Sequence, residues 1–320
     1  MTKVETLLAI RDLEIEYQAG EARIKAVDRV NIEMKARECV ALIGESGSGK
    51  STIANALLRI LPENSAVGHG DILFKGRSLL GLSEDEMRTI RGADISMVFQ
   101  DPHSFLNPVL RIGDQLRETI KTHSPGMEER TVLEKAKELL SVVRIPDPAR
   151  ILSRYPHQLS GGMAQRVGIA LALSSNPALI IADEPTSALD LTIQAQVLKL
   201  LKGLRDRFNL SILLITHDLS LVSNIAERVY VMYSGQIVEE DLVDGLYRDP
   251  KHPYTVMLLE AVKKLQGTDT SYSAQAESRE KPAESRCRFL PRCPRAGEAC
   301  RSKAPEYMTF PGGKKILCCQ

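Results

Sequence analysis

An excess of charge of either sign is missing from this 320-residue chain: 42 basic residues against 41 acidic ones leave a formal charge of +1. Proteins that hold nucleic acid through a broad electrostatic field carry a basic excess, so no nucleic-acid partner is expected. Long apolar runs are missing too. None approaches the roughly 18–20 residues that a bilayer crossing needs. The opening stretch MTKVETLLAIRDLEIEY carries charges throughout and lacks a signal-peptide core. The expectation is a chain without a membrane span, working on the cytoplasmic side. Cysteine is scarce for most of the length, with Cys39 alone in the first 286 residues. What the chain does have is apolar material, 43% of residues against 26% charged. That is enough for a sizeable core and excludes a disordered or collagen-like chain, and the length suggests two domains.

The hydrophobic pattern predicts an α/β fold. Residues 7–17 and 27–34 alternate apolar and polar residues, as half-exposed strands of an antiparallel sheet do. Residues 38–43 form a nearly continuous apolar run that ends at a glycine-rich loop, and residues 50–60 follow with helical spacing. Further strands are expected near Ile72–Phe74 and over 95–100, with a charged helix over 84–91 between them. Residues 108–175 look predominantly helical, including Glu128–Arg144 and Gly161–Leu173. Buried strands at 178–182 and 211–215 flank a helix at 191–207, and 229–232 with 235–239 reads as a hairpin. Strands alternating with helices imply a mostly parallel sheet covered on both faces. From 266 to 286 the composition turns to Gln, Ser, Thr, Ala, Glu and Lys, which predicts a linker between a domain over 1–265 and a tail over 287–320.

Gly44-Glu45-Ser46-Gly47-Ser48-Gly49-Lys50-Ser51 fits G-x-x-x-x-G-K-[ST] directly between a predicted strand and a predicted helix. The glycines let backbone N–H groups converge on phosphate oxygens, and the helix N-terminus favours negative charge. Lys50 would reach the β- and γ-phosphates and the Ser51 hydroxyl would ligate Mg²⁺. The loop alone leaves kinases, GTPases and many ATPases open. Leu179-Ile180-Ile181-Ala182-Asp183-Glu184 is an apolar strand ending in two carboxylates. Asp183 suits a place beside Mg²⁺, and Glu184 can deprotonate a water attacking the γ-phosphate.

Five cysteines crowd the end of the chain: Cys287, Cys293, Cys300, Cys318 and Cys319. In a reducing compartment such a cluster reads as metal ligation before disulfides. The spacing C-x5-C-x6-C-x17-C, with Cys318 as the fourth ligand, lacks the C-x2-C pairs of a zinc ribbon. Four thiolates can hold either Zn²⁺ or a [4Fe–4S] cluster, and spacing alone does not choose. Nor does it choose between Cys318 and Cys319.

Across roughly residues 5–262 the chain resembles the ATP-binding-cassette (ABC) ATPases, with the motifs in the family's order. Leu159-Ser160-Gly161-Gly162-Met163 looks like the signature that separates these proteins from other phosphate-loop ATPases. Gln100 stands where the family has its Q-loop, His217 where it has its switch histidine, and Tyr17 where an aromatic residue stacks on adenine. The resemblance implies a phosphate-loop core sheet with an antiparallel β subdomain and a helical signature subdomain at about 108–175. It implies ATP held by residues 44–52, Thr52 included, and Mg²⁺ held through Ser51, Gln100 and Asp183. Glu184, Gln100 and His217 would be the catalytic group, with Asp190 in the D-loop. Ser160, Gly161 and Gly162 would contact the γ-phosphate bound to an opposite subunit.

Further stretches resemble the dipeptide, oligopeptide and nickel importer branch of this family. They are Gln100–Pro108, His252-Pro253-Tyr254-Thr255 and Cys287-Arg288-Phe289-Leu290-Pro291-Arg292-Cys293-Pro294. This branch implies a peripheral ATPase at the cytoplasmic face of the inner membrane that energises peptide uptake through two permease subunits. It also implies a second, related ATPase as partner, a substrate-binding protein acting indirectly, and a [4Fe–4S] cluster on Cys287, Cys293, Cys300 and Cys318. Nickel or another small solute is the alternative cargo. A DNA-maintenance ATPase is the alternative of another class, disfavoured by the short stretch between Gln100 and the signature.

Overall fold

A computed structural model describes residues 5–187, 189–265 and 287–319, so the linker expected over 266–286 lies outside the described residues. The chain divides into two compact units. One gathers Lys35–Glu38 and Gly81–Ile215; the other gathers Thr6–Met34, Cys39–Leu80 and the described residues from Thr216 onward.

In chain order the strands are β1 (Thr6–Ala19), β2 (Ala22–Lys35), β3 (Cys39–Ile43), β4 (Ser65–Phe74), β5 (Arg77–Ser78) and β6 (Ile95–Val98). There follow β7 (Leu179–Asp183), β8 (Ser211–Thr216), β9 (Arg228–Tyr233), β10 (Gln236–Leu242), β11 (Glu306–Thr309) and β12 (Lys315–Cys318). In the unit that carries Thr6, β2-β1-β4-β5 form one sheet, and β1 pairs with β4 antiparallel across a bulge between Arg11 and Ile15. The same unit holds the run β11-β12-β10-β9-β3 of a second sheet. There β3 pairs parallel with β9, while β9–β10, β10–β12 and β11–β12 are antiparallel. In the other unit β6, β7 and β8 pair parallel.

The parallel strands are the apolar runs of the sequence. Every residue of β3, β7 and β8 is buried, as expected of strands covered on both faces. The helices expected over 108–175 are present as Ile112–His123, Glu129–Val142, Pro148–Leu152 and Gly161–Leu173.

The sequence pattern missed several features, the helix Pro253–Leu265 among them. The strand expected near Ile72–Phe74 begins at Ser65, in a polar stretch that extends because β1 offers it a pairing edge. The tail has two strands, and β12 completes its hydrogen bonding on β10. Phe289, 1% exposed, lies in a core cluster with Ala41, Val231, Leu246 and Tyr254. A short polar segment can thus order itself on the main core without building its own.

Candidate functional site

The phosphate loop runs from the end of β3 into the helix Lys50–Leu57. Gly49 caps that helix at φ 106°, and a Cβ there would lie 2.4 Å from the Ala26 carbonyl oxygen, so only glycine fits. Lys50 is buried, and its Nζ donates to the carbonyls of Gly44 at 2.8 Å and Glu45 at 2.9 Å. The Tyr17 hydroxyl and Thr52 Oγ1 are 3.3 Å apart, which fixes the expected adenine-stacking residue beside the start of that helix.

Glu45 is held on each side. Its N–H donates to the Tyr254 hydroxyl at 2.9 Å, and its carboxylate takes both prongs of the Arg292 guanidinium at 2.8 and 2.9 Å. The motif reading gave neither Tyr254 nor Arg292 a role. Both lie in quoted motifs, His252–Thr255 and Cys287–Pro294, and the density of aromatic and arginine residues there was the available signal. His252 is buried and its imidazole pKa is pushed down to about 4 by desolvation. It is therefore neutral, with Nδ1 free to accept the Tyr254 N–H at 3.2 Å. His217 is exposed and directly follows β8.

In the other unit, Gln100 and Glu184 meet. Gln100 Nε2 donates to Glu184 Oε2 at 3.0 Å, although the two residues are 84 positions apart. Glu184 sits in the left-handed region at φ 44°, with its N–H on the Ile215 carbonyl at 2.8 Å. A non-glycine residue held there is strained, and such strain clusters where a side chain must be aimed. Asp183, the last residue of β7, is buried. Of the candidate donors, Gln100 and Asp183 in this unit offer an amide and a carboxylate oxygen and Ser51 in the first a hydroxyl, oxygen ligands of the kind that Mg²⁺ takes.

Ser160 caps the helix Gly161–Leu173, its side chain accepting the Met163 N–H at 3.4 Å. A Cβ on Gly162 would stand 2.8 Å from Ile193 Cγ2, so the start of this helix packs closely against the helix Leu191–Phe208. Asp190 caps that second helix through the Ile193 N–H at 3.0 Å. The starts of these two helices are thereby fixed as one piece.

Three of the tail cysteines line one small space. Cys293, Cys300 and Cys318 border a cavity of about 160 Å³ together with Lys251, Pro253, Arg295, Phe310 and Ile316. Cys287 lies within electrostatic reach of all three, and burial pushes its thiol pKa up. Cys319 does not border the cavity; its thiol donates to the Lys303 carbonyl at 3.7 Å. Among the described residues, no group of three His, Cys, Asp or Glu side chains is placed to hold a metal ion.

The loop, the Gln100–Glu184 pair and the serine-capped glycine helix are each features expected of an ATP-hydrolysing cassette. Residues 27–187 match the family model described as ABC transporter, and the chain belongs to that family. Residues 238–300 match the model described as the C-terminal region of oligopeptide/dipeptide transporters. The chain is 43% identical to the oligopeptide transport ATP-binding protein AppD of Bacillus subtilis, over 98% of this chain and 97% of that one. It is 42% identical to the dipeptide transport ATP-binding protein DppD of Haemophilus influenzae, over 98% and 94%. Among solved structures, a dimeric ATP-binding cassette in a post-hydrolysis state with ADP and Pi matches at TM-score 0.67 and 30% identity, covering 74% of this chain and 99% of that one. The protein cbiO1 from Clostridium perfringens matches at TM-score 0.65 and 25% identity, covering 82% and 99%.

Proposed function

We propose that this chain is the ATP-hydrolysing subunit of a peptide importer. The observation that carries the reading is the cassette joined in one chain to the oligopeptide/dipeptide transporter C-terminal region. Relatives named for oligopeptide and dipeptide transport match along nearly the whole length, and they support neither the nickel nor the DNA-maintenance alternative. No helix among the described residues is long and apolar enough to cross a membrane, and the reading gives the path to permease subunits. The reading places the chain peripherally at the cytoplasmic face of the inner membrane. The test is reconstitution with the neighbouring permeases and binding protein. ATP-dependent accumulation of labelled dipeptide or oligopeptide is expected, and hydrolysis without any peptide uptake would overturn the assignment.

In this reading the backbone amides of residues 44–52 and Lys50 bind the phosphates. Mg²⁺ on Ser51, Gln100 and Asp183 would screen their charge. Glu184 takes the proton from the attacking water, Gln100 holds the carboxylate in place, and His217 completes the group. Ser160, Gly161 and Gly162 act on ATP bound to the partner ATPase, a related chain rather than a copy of this one. Gly161→Asp is then expected to leave ATP affinity at the chain's own loop unchanged. It should weaken ATP-driven closure with the partner, because it sets a carboxylate against the opposing γ-phosphate. Closure measured by cross-linking at wild-type ATP concentration would refute this arrangement.

The same reading places a [4Fe–4S] cluster on Cys287, Cys293, Cys300 and Cys318. Zinc at about 2.3 Å from four sulfurs would need them nearly in mutual contact. A cluster binds each thiolate through its own iron and keeps the sulfurs apart around a shared space. Of the four, Cys293, Cys300 and Cys318 border one cavity and Cys287 lies within electrostatic reach of them, an arrangement compatible with the second case. The cluster would crosslink the tail. Anaerobically purified protein is expected to carry about four iron and four sulfide per chain. Stoichiometric zinc without sulfide would reject the cluster, and four freely titratable thiols would reject any metal.

A further inference from the structure

Glu45 is an awkward residue for a phosphate site, since it places a carboxylate on the loop that must bind a polyanion. Its charge is met from the far end of the chain by Arg292, 247 residues away. The Arg292 fork is itself held in place. Its guanidinium lies 5.7 Å from the ring centre of Tyr233 and 5.9 Å from that of Phe289, and Phe289 is anchored in the core. A second tail arginine acts on the other limb of the loop. Arg288 donates to the Ser234 carbonyl and, at 2.7 Å, to Asp28 Oδ2. It thus fixes the turn whose Gly235 N–H donates to the Ser48 carbonyl at 2.9 Å.

We propose that the cysteine-bearing tail sets ATP affinity: Arg292 is a positioning residue that neutralises Glu45 and turns its carboxylate away from the phosphates, while Arg288 braces the loop through the Ser234–Gly235 turn. This rests on residues 44–52 being the phosphate-binding loop. Without Arg292, the Glu45 carboxylate is uncompensated beside the bound phosphates and repels them. The tail is therefore part of the ATP site although it contributes no ATP ligand.

The test is ATP affinity of the full chain, by calorimetry or a fluorescent analogue, with the thermal midpoint measured alongside. Arg292→Ala is expected to raise the Kd about three- to tenfold, as befits a half-exposed charge pair near a polyanion. Arg292→Lys keeps the charge but loses the two-pronged bond and the ring contacts, so its Kd should fall between those of the native chain and of Arg292→Ala. The deciding variant adds Glu45→Gln to Arg292→Ala. Removing the carboxylate should bring the affinity back, because the two residues form one coupled unit. A merely structural role for Arg292 predicts no such rescue. Native affinity in Arg292→Ala, or a double variant as weak as the single, would overturn the proposal. Should Lys50→Ala bind ATP normally, the loop reading itself fails, whatever the Arg292 variants do.

Discussion

Glu184→Gln is expected to bind ATP with nearly unchanged affinity and to hydrolyse it about 10²–10⁴-fold more slowly. The glutamine has the size and shape of the native side chain, and its amide oxygen can accept the Gln100 Nε2–H that Glu184 accepts at 3.0 Å. The backbone at φ 44° is unaffected, so the side chain stays aimed as before. Only basicity is lost. Phosphate release at saturating ATP, measured with the partner ATPase and permeases present, separates this from a binding defect. Undiminished turnover would remove Glu184 from the catalytic group.

The second large effect is on stability. Phe289→Ala should destabilise the protein by about 3–5 kcal/mol, the usual cost of emptying a fully buried aromatic site. Phe289 is 1% exposed, meets Tyr233 edge-on at 5.2 Å, and lies 5.5 Å from Tyr254 and 5.6 Å from His252. Phe289→Leu keeps most of the volume and should cost less than about 1.5–2 kcal/mol. Denaturant midpoints of the full chain measure both. A loss below about 1 kcal/mol for the alanine variant would mean that the tail is an appendage and not part of the core.

The sequence reveals most where structure has a local cause. Strands β3, β7 and β8 are continuous apolar runs, and Gly161–Leu173 is bounded as expected because Ser160 caps its start. The same locality made the phosphate loop and the Asp183–Glu184 pair readable, since each needs only its own few residues and the strand before it. What stayed hidden has a distant cause. Residues 65–70 have almost no apolar signal and become strand by pairing with β1. The two tail strands exist because β10 offers an edge. The Arg292–Glu45 and Tyr254–Glu45 contacts span 247 and 209 positions, and no periodicity or spacing announces them. Gln100 and Glu184 were each identified by motif, but their direct hydrogen bond could only be seen in three dimensions.

The separation of Glu45 from Arg292 also sets a clock on biosynthesis. At about 5–20 residues per second, a ribosome takes roughly 12–50 s to travel the 247 residues between them. Throughout that time Glu45 lacks its counter-ion, and once Gln236–Leu242 has been made, β10 keeps a bare edge until β12 follows. Contacts this remote in sequence are also the slow ones to close. A nascent cassette is thus a poorer ATP binder than the finished one, and a chain broken before Cys287 would remain so.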